Sequence, residues 1–135
     1  MPAINWIGVL AAWVAGWLAQ GIWYMVLGRP WMAALGWTDA EINSGRRRMP
    51  VGPMLVSVVA ELIMALMLAG IVGHLGGPSI AIGAISGVLV WFGFVLTTIS
   101  VNNAFQRRPV MLTVIDAGGW LAVLLVQGVV LGLFR

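Results

Sequence analysis

The sequence predicts an all-α membrane protein of four transmembrane helices, and three observations predict it. Four apolar runs, about 4–27, 54–74, 79–101 and 111–134, reach the roughly 20 residues that a helix needs to cross a hydrocarbon core of about 30 Å. Hydrophobic residues make up 61% of the 135 and charged residues 8%, against about 25% charged in a soluble domain, so lipid must be the solvent. The breaks between runs carry helix-ending residues: Arg29-Pro30, then Pro50 and Pro53, Gly76-Gly77-Pro78, and Arg107-Arg108-Pro109. Together these define one transmembrane domain over the whole chain.

The first run is expected to end at Arg29-Pro30 and to enter a loop over 28–53. Within that loop Thr38 and Glu41 form a capping box, which predicts a short interfacial helix with Trp31, Leu35, Trp37 and Ile42 at the lipid boundary. The second run starts after Pro53, the tight Gly-Gly-Pro turn leads to the third, and Pro109 opens the fourth. A cleaved leader is not expected, because the N-terminus lacks a basic region and the first apolar run is too long.

Orientation follows from arginine placement. Arg29, Arg46, Arg47 and Arg48 lie in the first loop and Arg107 and Arg108 in the third, whereas Arg135 alone lies on the side of the termini. Positive residues stay in the cytoplasm, so both termini are expected outside and the arginine loops inside, in the multi-pass topology of a bacterial inner membrane. Those arginines fit lipid-headgroup and topology anchors, attracting anionic lipid at about 1 kcal/mol each. A nucleic-acid partner is not expected, since basic groups sit at span ends instead of spreading over an accessible face. A shift of 79 positions places Gly8-Val9-Leu10 on Gly87-Val88-Leu89 and Arg29-Pro30 on Arg108-Pro109, which suggests two tandem hairpin repeats.

Two carboxylates inside the apolar runs are the residues a merely apolar bundle does not need. Glu61 and Asp116 are each expected some five to seven residues past the start of their helix, or roughly 8–11 Å deep by helical rise. A charged group at bilayer depth costs about 2.5–3.5 kcal/mol on insertion scales. Each therefore calls for a proton, a cation, or Arg107 or Arg108 reaching inward. Gln20, Tyr24, Ser57, Asn102 and Asn103 lie in the same halves of their helices, so one shared polar site open to the cytoplasm is expected. Such a site suits proton or cation binding; the competing reading is a hydrogen-bonded network that fixes helix register.

Eight tryptophans exceed what interfacial belts require. Trp13, Trp17, Trp91 and Trp120 lie deep in their runs, and a stripe of Trp6, Leu10, Trp13, Trp17, Gln20 and Tyr24 faces a small stripe of Gly8, Ala12, Ala15 and Ala19. The deep tryptophans are candidates to line a groove for an organic solute, with packing as the alternative. Small-residue pairs Gly83/Gly87 and Gly128/Gly132, with Gly118-Gly119 beside Asp116, predict close crossings within the bundle or between copies of a homo-oligomer. No cysteine is present and the single histidine, His74, lies at the opposite end from the carboxylates. No catalytic constellation, metal set or cofactor is therefore expected. The reading that results is a small proton- or cation-linked carrier or channel; the alternative is a non-catalytic accessory or assembly subunit holding a protein partner.

The opening Asn5-Trp6, Trp23-Tyr24 with Gly28 and Trp31, Asn102-Asn103 with Phe105 and Arg108-Pro109, and Asp116-Ala117-Gly118 together resemble domain-of-unknown-function family 1761. Those are small bacterial membrane proteins of similar layout, and the resemblance covers nearly the whole chain. It implies the four-helix architecture and, the family having no assigned activity, no substrate. The chain departs from that pattern at Met25-Val26, where a Ser-Pro pair is usual, and at Gln106, where an acidic residue is frequent. Asp116 stands where asparagine is common, which implies that the family at large does not depend on a carboxylate there.

Overall fold

A computed structural model of the chain describes residues 4–45 and 50–134; Arg46, Arg47 and Arg48 lie outside the described residues. Four helices are long and apolar enough to span a membrane: Trp6–Ala34, Val51–His74, Ile80–Phe105 and Val110–Leu133. They are the first to fourth spans, and a short helix, Asp39–Asn43, lies between the first two.

Each boundary has a local cause. Asn5 caps the first span by accepting from the Gly8 amide at 3.1 Å, and Ser79 caps the third by accepting from the Ile82 amide at 3.1 Å. The second span begins at Val51, three residues before the expected start. Pro53 sits in its first turn, where an amide would have no partner inside the helix, so proline is tolerated there. The first span also runs further than Arg29-Pro30 allows on sequence grounds, ending at Ala34 with Pro30 inside it. A proline in a helix interior costs about 3 kcal/mol, and tertiary contacts hold the segment beyond it. Met32 is buried, and Trp31 stands edge-on to Tyr24 with ring centroids 5.6 Å apart.

The capping box closes as expected, with Thr38 N donating to Glu41 Oε2 at 2.8 Å and Glu41 N to Thr38 Oγ1 at 3.3 Å. The Arg29 guanidinium donates to Asn43 Oδ1, tying this helix to the end of the first span. The third span is not uniformly α: Trp91–Leu96 is π-helical, a widening with no mark in the residue pattern. Past it, Thr97 and Thr98 turn their hydroxyls back onto the Gly93 and Phe94 carbonyls at 2.9 and 2.5 Å.

The fourth span is the centre of the bundle. Of its most apolar stretch 44% is buried, against 17–22% in the other three, and its main neighbours are the first and third spans. Glycines make that possible. A methyl group on Gly83 would collide with the Gly128 carbonyl, one on Gly87 with the Leu124 carbonyl, and one on Gly132 with the Ser79 carbonyl. The Gly83/Gly87 and Gly128/Gly132 pairs thus face each other within one chain, as close helix crossings require. On the first span the buried stripe is Gly8, Val9, Ala12 and Gly16, with Ala15 and Ala19 only half-buried. The two hairpins are packed unequally, with one central span and three peripheral ones.

Candidate functional site

Polar side chains in the bundle gather at two levels, not at the single one expected. The deeper level is built around Glu61. Because the second span starts at Val51, Glu61 lies ten residues into it, about 15 Å by helical rise and close to the helix midpoint. Its side chain is 0% exposed. Ser57, one turn earlier on the same face, places its hydroxyl 2.7 Å from Gln20 Oε1 of the first span and 3.2 Å from Glu61 Oε1. From the fourth span Gln127, also 0% exposed, donates through Nε2 to the Glu61 backbone carbonyl at 3.0 Å. Gly16 admits this side chain, since a methyl there would meet the Gln127 amide. Three atoms of this buried interior lack a partner among the described residues: Glu61 Oε2, Gln127 Oε1 and Ser86 Oγ.

The shallower level surrounds Asp116, six residues into the fourth span and about 9 Å along it. Tyr24 donates its hydroxyl to Asp116 Oδ1 at 2.6 Å. The two backbone carbonyls flanking Asp116 are both taken by indoles: Trp23 Nε1 donates to Ile115 O at 2.9 Å and Trp91 Nε1 to Ala117 O at 2.7 Å. A carbonyl has two lone pairs, so each accepts an indole beside its helical amide. Gly118 and Gly119 leave room for the Trp23 ring, and Gly119 also for the edge of Tyr24.

The remaining expected site residues divide. Asn103 reaches the fourth span, donating to Thr113 Oγ1 at 3.0 Å nearer the arginine-bearing end, while Asn102 is exposed on another face. Arg107 and Arg108 are exposed at the turn where Arg107 adopts a φ of 54°; neither reaches a carboxylate among the described residues. The four deep tryptophans do not converge on one groove. Trp13 donates to Val58 O of the second span at 2.9 Å and Trp91 turns to the fourth. Trp17 is 43% exposed, and Trp120 is half-buried on the fourth span. Gln127 is not among the site residues expected from sequence. Its one available signal was an amide inside an otherwise apolar run. An apolar cavity of about 140 Å³ lies elsewhere, between Met64, Met67, Leu68, Val90, Val95 and Leu124.

Four spans, two intramembrane carboxylates at different depths and arginines at one end define a multi-pass membrane protein. More particularly, the chain belongs to the family described as "Protein of unknown function (DUF1761)", whose profile matches residues 7–132. Against curated proteins and against solved structures the chain finds no match.

Proposed function

We propose that this chain is a small proton- or cation-linked carrier or channel of the bacterial inner membrane, with its arginine-bearing end in the cytoplasm and its termini outside. Glu61 is its proton-binding group. The observation that carries this reading is a carboxyl group sealed at mid-span with Oε2 unpartnered and no described cation against it. Holding helix register needs only amides and hydroxyls, and Gln20, Ser57 and Gln127 supply them. Interhelical hydrogen bonds contribute about 0.6 kcal/mol each, whereas placing an ionised acid at this depth costs about 2.5–3.5 kcal/mol. The comparison favours a residue retained for chemistry. With the Gln20 amide oriented as it is, the single Ser57 proton goes to Gln20, and the contact to Glu61 Oε1 is satisfied when Glu61 brings a proton of its own. In this reading the chain carries no enzymatic chemistry: His74, the one histidine, is exposed, engages the Gly70 carbonyl at 2.7 Å, and ends the span that carries Glu61, about 20 Å further along by helical rise.

The test is proton flux in proteoliposomes with a trapped pH dye, comparing the wild type with Glu61→Gln at matched helix content. Flux in the wild type that falls to background in the variant is expected. An absence of wild-type flux under either sign of gradient would reject the proton pathway and favour the accessory-subunit reading.

A further inference from the structure

The two carboxylates differ in what can reach them. Glu61 is closed off, with room for a proton only. Asp116 is half-buried; Tyr24 occupies Oδ1, and Oδ2 is neither bonded nor among the sealed, unpartnered atoms of the interior. It is therefore an accessible carboxylate oxygen inside a membrane span with no described arginine against it, and an ionised group in that position calls for a counter-cation.

The surroundings say what kind of cation. Hard metal ions replace their hydration shell with several oxygen ligands; among the described residues the hydroxyl bonded to Asp116 is that of Tyr24, and the Thr113 hydroxyl one turn away is engaged by Asn103. The nearby carbonyls of Ile115 and Ala117 are already taken by indole donors as well as by the helix. What the site offers instead is aromatic carbon. The Trp23 ring lies over Gly118 and Gly119, the edge of Tyr24 lies by Gly119, Trp31 backs Tyr24 edge-on, and Trp91 reaches across from the third span. A carboxylate among aromatic rings recognises an ammonium group whose substituents are apolar, because ring quadrupoles attract the charge while the carbon surface accepts the substituents.

We infer that Asp116, with Trp23 and Tyr24, is the binding site for an organic ammonium ion entering from the arginine-bearing end. This deepens the carrier reading by naming its cargo and rests on that reading for transport, but binding itself is measured without any gradient, so the two can fail separately. The measurement is calorimetric titration of the purified full chain in neutral detergent with benzyltrimethylammonium. Saturable binding is expected, weakened by at least about tenfold in Asp116→Asn, the loss of a desolvated charge partner, and by about threefold in Trp23→Phe, the loss of an indole face. The same charge change in the exposed loop helix, Asp39→Asn, leaves affinity unchanged, and potassium ions at hundredfold excess over the probe do not compete. Wild-type affinity in Asp116→Asn, the absence of saturable binding in the wild type, or displacement by potassium would each overturn the assignment. The potassium competition uses wild-type protein, so it decides the question even if Asp116→Asn fails to fold.

Discussion

Glu61 and Asp116 are the same functional group carried on membrane-spanning helices, and the bundle treats them in opposite ways. Around Glu61 three spans close with amides and a hydroxyl, and the carboxyl group is fully buried. Around Asp116 the contacts are aromatic, each indole spends its donor on backbone, and one carboxylate oxygen stays accessible. The difference comes from depth and from the neighbouring helix. Glu61 sits at the midpoint of a peripheral span and is covered by the central one. Asp116 sits six residues into the central span, where Trp23 and Tyr24 of the first span and Trp91 of the third pack against it. A carboxylate of the first kind exchanges protons and little else, whereas one of the second kind can hold a ligand.

The sharpest way to break this contrast is chemical labelling of the carboxyl groups. A water-soluble carbodiimide should modify Asp116 directly but Glu61 only after the helices part. A local opening of about 3 kcal/mol slows labelling by roughly two orders of magnitude. Mass spectrometry of the labelled chain reads the two sites separately, and equal rates would show that the centre is as open as the end. A smaller effect is expected from opening the seal deliberately. Gly16→Val drives a branched side chain into the Gln127 amide, which should destabilise the fold by about 1–3 kcal/mol. Its diagnostic feature is selective: labelling of Glu61 accelerates while that of Asp116 stays at the wild-type rate. Acceleration at both sites would mean that the two levels open together.

Much of the architecture was legible because the membrane simplifies the code. Length and apolar content locate the spans, and Thr38 with Glu41 announces its capping box by spacing alone. The Gly83/Gly87 and Gly128/Gly132 pairs announce a close crossing, since little else explains glycine at that interval in two helices. What was not legible depends on relations between helices. Pro30 ends a helix by local rules, and only the burial of Met32 and the Tyr24–Trp31 contact explain why it continues. Gln127 and Glu61 belong to different halves when each is counted along its own helix. They meet because the second span starts early, at Val51, and the side chain of Gln127 is long. The depth of Glu61 was underestimated for the same reason. The π-helical turn has no sequence mark, and it rotates the helix after Trp91 in a way no periodicity argument includes.

The least expected contribution is that of the tryptophans, and it separates the two regions by the smallest effect. Trp13 and Trp91 read from sequence as groove lining, yet they, like Trp23, each donate to a backbone carbonyl of another span. Trp13 fastens the first span to the second beside the Glu61 level; Trp23 and Trp91 fasten the first and third to the fourth around Asp116. Replacing any one by phenylalanine keeps most of the ring and removes the donor. The carbonyl left behind retains its helical amide, so no polar group is stranded and the loss should be about 0.6 kcal/mol, at most about 1.7. Unfolding of each variant in a detergent titration checks the magnitude. The pairings also make a finer claim: Trp23→Phe with Trp91→Phe should be less than additive, because both indoles grip one helical turn and its loosening relaxes the other contact. Trp13→Phe, which grips Val58 on a different span, should add independently to either. Full additivity of the Trp23 and Trp91 losses would mean that the turn carrying Asp116 is held rigid by Tyr24 and the glycine packing alone.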